Sequence, residues 1–292
     1  MSAWIAALAA ACCYGIALIL TQRGLQFLTP IQGASVSVPT AALFFVLLSP
    51  FLIDFSALDP TAVAVFAGVG FLFPATVTLL TFLANVHMGP SITGAIGNLT
   101  PLFAVLLAVF LLDEPFGLFQ AIGMLVILGG VTCLTFSRSG ATSRWPLWVI
   151  ILPLGGAVVR GVTQPAIKWG LVYWAEPFAA VTIGYVISAL LILSIATIQQ
   201  RNKTGSFRME RRHPTGRNWF VIVGLTNGVA ALLTYTALEK GEVSIVSPLI
   251  ATYPLVTLIL SLFVLRNVVW NIQLVVGVIA TVLGVGIILA GS

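Results

Sequence analysis

The sequence predicts an all-α integral membrane protein. Ten transmembrane helices form two inverted five-helix repeats around a central cavity. Composition, the spacing of the apolar runs and an internal repeat predict it. Of 292 residues, 59% are hydrophobic and 7% are charged, and the mean hydropathy is +1.11. Ordinary soluble proteins carry about 25% charged residues. A chain this poor in charge cannot cover a water-facing surface, which excludes cytosolic enzymes, nucleic-acid binders and disordered proteins. A membrane-crossing helix needs about 20 mostly apolar residues. The alternating pattern of a β-barrel is absent, so the spans are helices.

The first run is Ser2–Thr21. Its segment Leu8-Ala9-Ala10-Ala11-Cys12 is faintly like a lipoprotein cleavage site, but no Lys or Arg precedes it. A signal peptide wants a basic leading segment, so this run reads as an uncleaved helix. Gln32–Ile53, Thr61–Val86, Pro90–Leu112 and Gly117–Phe136 follow. A polar stretch, Ser137–Trp145, then separates residues 1–138 from residues 145–292. The second set is Leu147–Trp169, Pro177–Ile198, Asn218–Leu238, Val243–Leu265 and Trp270–Ala290. Trp4, Trp145, Trp148, Trp219 and Trp270 stand near run ends, where the membrane–water interface favours tryptophan. Cys12, Cys13 and Cys133 lie in apolar runs without disulfide or zinc spacing, and no cofactor is predicted.

The halves match. With a shift of 153 positions, Ala84 meets Ala237, Ser91 meets Ser244 and Ile92 meets Ile245. Pro101-Leu102 meets Pro254-Leu255, Phe110 meets Phe263, Leu112 meets Leu265 and Gln120 meets Gln273, while Phe82 meets Tyr235. With a shift of 146, Gly15 meets Gly161 and Gly24 meets Gly170. After five crossings the second copy starts from the opposite side of the membrane, so the repeats are inverted. Inverted repeats suit secondary transporters, whose related halves rock about a central site.

Charge sets the orientation. The loops after odd-numbered runs hold Arg23, Arg138, Arg144, Arg201, Lys203, Arg208, Arg211, Arg212, Arg217 and Arg266. The opposite side holds Lys168 and Lys240, together with Asp54, Asp59, Asp113, Glu114, Glu176, Glu239 and Glu242. Cytoplasmic loops collect Lys and Arg. The reading is therefore a bacterial inner-membrane protein with the basic 199–217 loop in the cytoplasm and both termini outside. The net charge of +5 belongs to that loop bias and implies no nucleic-acid partner.

The first half carries Gly89-Pro90-Ser91, Pro101-Leu102, Leu111-Leu112-Asp113-Glu114-Pro115, Gly123 and Gly129-Gly130. The second half carries Gly241-Glu242-Val243-Ser244, Tyr253-Pro254-Leu255, Gly277 and Gly284. In these motifs the chain resembles the drug/metabolite transporter superfamily, and within it the EamA-type ten-helix exporters. The resemblance spans the whole chain. In length and layout the chain is most similar to aromatic amino-acid exporters of the YddG-like group. The resemblance implies export of amino acids or other small metabolites from a central cavity. Arg266-Asn267 departs from it, since an acidic residue is usual there. Many relatives keep both termini in the cytoplasm, which opposes the charge count above.

A charge at mid-membrane costs about 2.5–3.5 kcal/mol on insertion scales. Arg160 falls near the middle of the sixth run, with Gln164 and Lys168 following at four-residue steps. That spacing makes one polar stripe, and no Asp or Glu lies at comparable depth. Arg160 either meets a substrate carboxylate in a water-filled cavity or binds carbonyls freed at a helix break. Pro101 and Pro254 are read as mid-helix prolines at equivalent positions, hinges of a central site or kinks that serve packing. Asn98, Thr100, Ser247, Thr252 and Tyr253 stand near them, with Thr100 and Tyr253 the first candidates to line the cavity. Tyr14, Phe73, Trp169 and Tyr235 are candidates to stack an apolar substrate group, or core residues. The small-residue spacings at Ala121-Gly123, Gly129-Gly130 and Ala280 to Gly284 fit close helix contact, within the fold or in a dimer.

All eight carboxylates lie at run ends or in loops, so coupling through a buried Asp or Glu is not expected; His87 remains a candidate titrating group. Paired membrane aspartates and an H-E-x-x-H motif are absent from the sequence, so no enzyme is expected. The expected partners are a small-molecule substrate and the lipid bilayer, with the chain a monomer or weak homodimer.

Overall fold

The computed structural model describes residues 1–139, 146–204, 214–264 and 272–291. Among them are twelve α-helices and no strand. They are α1 (Ala3–Gly24), α2 (Pro30–Leu52), α3 (Pro60–Leu72), α4 (Ala75–Gly97), α5 (Thr100–Leu111) and α6 (Leu118–Ser139), then α7 (Leu147–Tyr173), α8 (Pro177–Thr204), α9 (Pro214–Lys240), α10 (Val243–Ile250), α11 (Tyr253–Val264) and α12 (Ile272–Ala290). Seven stretches are long and apolar enough to cross a membrane, and α5 and parts of α6 and α12 are shorter apolar helices.

The count exceeds ten because three runs break. The third breaks at Phe73-Pro74, between α3 and α4. The fourth breaks at Asn98-Leu99 and the ninth at Ala251-Thr252. Pro101 and Pro254 are therefore not mid-helix prolines. Each stands in the first turn of a new helix, where the missing N–H costs nothing. The turn expected at 87–89 is also redrawn, because α4 stays helical through it. Helix ends move too: α8 and α9 extend into the 199–217 stretch, to Thr204 and from Pro214. Arg144, Trp145, Arg208, Arg211, Arg212, His213, Arg266, Asn267 and Trp270 lie outside the described residues.

Local sequence explains several starts. Thr29 and Gln32 form a reciprocal capping box at the head of α2, with Pro30 in its first turn. Asp59 accepts from the backbone N–H of Thr61 and Ala62 at the head of α3. Those bonds to its charged form hold the Asp59 carboxyl below its ordinary range.

Burial is the reverse of a soluble fold. Leu47, Phe51, Phe110, Leu125 and Leu283 point outward and exposed, while Ala6, Ala7, Ala10, Ala34, Ala41, Ala104 and Ala231 fill the interior. Small interior residues let helix backbones approach, as membrane packing favours. The glycine contacts come in reciprocal pairs. A Cβ on Gly15 would strike Val256 and the Tyr253 carbonyl, and one on Gly161 would strike Phe103 and Ala104. Gly24 abuts Phe220 and Gly170 abuts Phe66; Gly70 abuts Gly184 and Gly224 abuts Ser37. Gly123 and Gly130 of α6 meet Gly284 and Gly277 of α12 in the same way, whereas Gly129 has nothing within 4 Å, so these four glycines serve contact within the fold. Gly224→Ala should lower the thermal midpoint clearly, because its Cβ would overlap the Ser37 carbonyl oxygen. Gly286→Ala, with nothing within 4 Å, should leave it unchanged. Equal midpoints in a thermal-shift series would disprove the close packing of α2 on α9.

Candidate functional site

The helix breaks converge on one place. At the first, the Gly70 carbonyl and the Ala75 N–H lose their helical partners. Ser188 of α8 satisfies both, donating to Gly70 O at 2.5 Å and accepting from Ala75 N at 3.1 Å. This holds Phe73 in the interior. The other two breaks touch, where Asn98 Nδ2 donates to the Ala251 carbonyl at 2.8 Å. Thr100 and Thr252 hydroxyls donate back to the carbonyls of Gly97 and Leu249, each at 2.7 Å. Pro165 inside α7 leaves the Gly161 carbonyl without its helical donor.

Two adjoining chambers occupy the space between these breaks. The first holds about 800 Å³ of empty volume, mouth included, and is lined by Tyr14, Phe73, Val77, Thr78, Thr81, Phe82, Asn85, Thr93, Tyr185 and Asn227, among others. The second holds about 500 Å³ and is lined by Asn98, Thr100, Thr163, Gln164, Ile167, Thr234, Tyr235, Ser247 and Ile250. Tyr14, Phe73, Gly97, Arg160 and Tyr253 line both. Arg160 thus stands at their junction, beside Tyr14 and Tyr253. Its Nη2 donates to Thr81 Oγ1 at 3.2 Å. The Tyr253 hydroxyl donates to the Gly94 carbonyl at 3.2 Å. Arg160 Nε is buried without a hydrogen-bond partner, as are Asn85 Oδ1 and Nδ2, Thr93 Oγ1, Asn98 Oδ1, Gln164 Oε1 and Ser247 Oγ. No carboxylate lines either chamber among the described residues.

The structure brings together nine of the ten residues singled out for substrate contact: Arg160, Gln164, Asn98, Thr100, Tyr253, Ser247, Tyr14, Phe73 and Tyr235. It leaves out Trp169, which is 44% exposed and packs edge-on against Tyr173. Nine residues at about 100° each put Trp169 opposite Arg160 on α7. Lys168 also leaves the stripe for Glu114, 3.5 Å away, and the Gly241 carbonyl. Glu114 in turn accepts from the N–H groups of Val243 (2.9 Å) and Ser244 (3.0 Å) at the head of α10. His87 lies outside both chambers and meets Trp148 edge-on. Thr81, Asn85, Thr93, Tyr185 and Asn227 were not anticipated. Asn85 and Asn227, amides inside apolar runs, are the two whose sequence context could have disclosed them.

The fold is a multi-pass helical bundle with an arginine at the junction of its two chambers. The chain belongs to the EamA-like transporter family, whose model matches residues 1–136 and 147–290. No curated protein matches it significantly. A solved structure titled "Crystal structure of protein" is similar in fold, with a TM-score of 0.78 at 17% identity over 98% of this chain and 95% of that one.

Proposed function

We propose that this protein is a carrier that exports small metabolites with a carboxylate, aromatic and hydrophobic amino acids first, by alternating access through the two chambers. The observation that carries the reading is Arg160. A guanidinium with a buried, unpartnered Nε and no carboxylate among the described lining residues is matched by an anionic ligand group. The same positive charge disfavours an organic cation. Tyr14, Phe73, Phe82 and Tyr185 supply apolar faces for a side chain, in keeping with the resemblance to aromatic amino-acid exporters.

The ten-span, inverted-repeat architecture belongs to this proposal. The reciprocal glycine contacts, the two touching helix breaks and the two matched segments at 1–136 and 147–290 support it. So does the bias of basic residues, which puts the 199–217 loop in the cytoplasm of a bacterial inner membrane and both termini outside. We propose further that the carrier acts as a monomer or weak homodimer.

Efflux of labelled phenylalanine from proteoliposomes tests the function. Flux should saturate with substrate, and Tyr253→Ala should slow it about tenfold by removing the hydroxyl and ring beside Arg160. Flux that rises linearly without saturation would mean a channel. Absence of phenylalanine flux in the parent would remove aromatic amino acids as substrates.

A further inference from the structure

We infer that the second chamber is an ammonium pocket, in which Asn98 Oδ1, Gln164 Oε1 and Ser247 Oγ hold the amino group of a zwitterion whose carboxylate lies on Arg160. This rests on the carrier reading and adds which end of the substrate goes where. Asn98 is 3% exposed, Gln164 7% and Ser247 1%, and all three oxygens lack a partner. They come from three separate elements: the turn after α4, α7 and α10. The Asn98 amide is oriented by its bond from Nδ2 to Ala251, so its free atom is the acceptor.

A buried polar atom left without a partner costs about 1–3 kcal/mol. Three such acceptors in one chamber call for a ligand rich in donors. An ammonium group has three N–H donors and no acceptor. Arg160 lines the same chamber and repels a bare amine or metal cation. A zwitterion removes that conflict, because its own carboxylate screens Arg160 from the ammonium. The side chain is then directed to the first chamber and its aromatic walls.

Calorimetry on the full-length protein in lipid nanodiscs tests this with L-phenylalanine, 3-phenylpropionate and 2-phenylethylamine. Phenylalanine should bind at least tenfold more tightly than either analogue. Gln164→Met and Ser247→Ala should each weaken phenylalanine about tenfold and narrow its advantage over 3-phenylpropionate. These substitutions keep side-chain size and spare the Asn98–Ala251 bond. Equal affinities for phenylalanine and 3-phenylpropionate would overturn the ammonium pocket and leave the carboxylate carrier standing. Loss of both ligands in parallel in the variants would mean a structural role and overturn it too. Phenylalanine binding that disappears when choline replaces sodium would assign the oxygens to a metal ion instead. Binding of neither carboxylate ligand would overturn both the pocket and the carrier reading.

Discussion

Arg160→Ala should abolish saturable phenylalanine efflux while the protein stays folded. The guanidinium donates to the Thr81 hydroxyl, and its Nε is buried without a partner. Hydrogen bonds to charged groups contribute about 1.5–3 kcal/mol each. A two-pronged contact with a carboxylate therefore implies a loss of a hundredfold or more in apparent affinity. The fold has little to lose, because no ion pair to Arg160 is present among the described residues. Arg160→Lys keeps the charge but not the planar fork, and should fall between the parent and the alanine variant. Proteoliposome flux across a concentration series separates the three. Unchanged flux in Arg160→Ala would leave Arg160 a packing residue that satisfies freed backbone groups.

Glu114→Ala should be the most destabilising single change at its end of the bundle. Glu114 is 7% exposed and does three jobs at once. It accepts two N–H bonds at the head of α10 and faces Lys168 of α7. Asp113 makes this possible by turning the chain at φ 50°, a left-handed conformation that Asp tolerates. Breaking a buried charged contact costs about 3–5 kcal/mol, and two orphaned N–H groups remain. Lys168→Met should cost less, because Glu114 keeps both backbone bonds. The thermal midpoint should therefore fall in the order parent, Lys168→Met, Glu114→Ala. Equal falls would mean that the ion pair, rather than the helix cap, holds this end together.

Much of the protein was legible in one dimension. An apolar fraction of 59% admits one solvent, the bilayer, and in a bilayer the backbone must satisfy itself as helix. Arg160 and Gln164 were legible because a charge in an apolar run is costly enough to require a reason. Thr100 and Tyr253 were legible through the prolines that follow them, although Pro101 and Pro254 turned out to start helices rather than bend them. Trp169 was misplaced because aromatic identity was weighed without its angle around α7. Tyr185 was passed over because one tyrosine in an apolar run carries no signal of the face it presents.

The sequence by itself determined the solvent, the helices and the one central charge, since each follows from the cost of placing a residue type in hydrocarbon. Only the tertiary structure decided the partners. Glu114 meets the head of α10, and Asn98 meets Ala251, across more than a hundred residues. Ser188 repairs the break at Phe73-Pro74 from another helix. Such pairings depend on which helix faces come together, and in a bundle apolar on nearly every side periodicity does not specify that. Close backbone contact at glycines does.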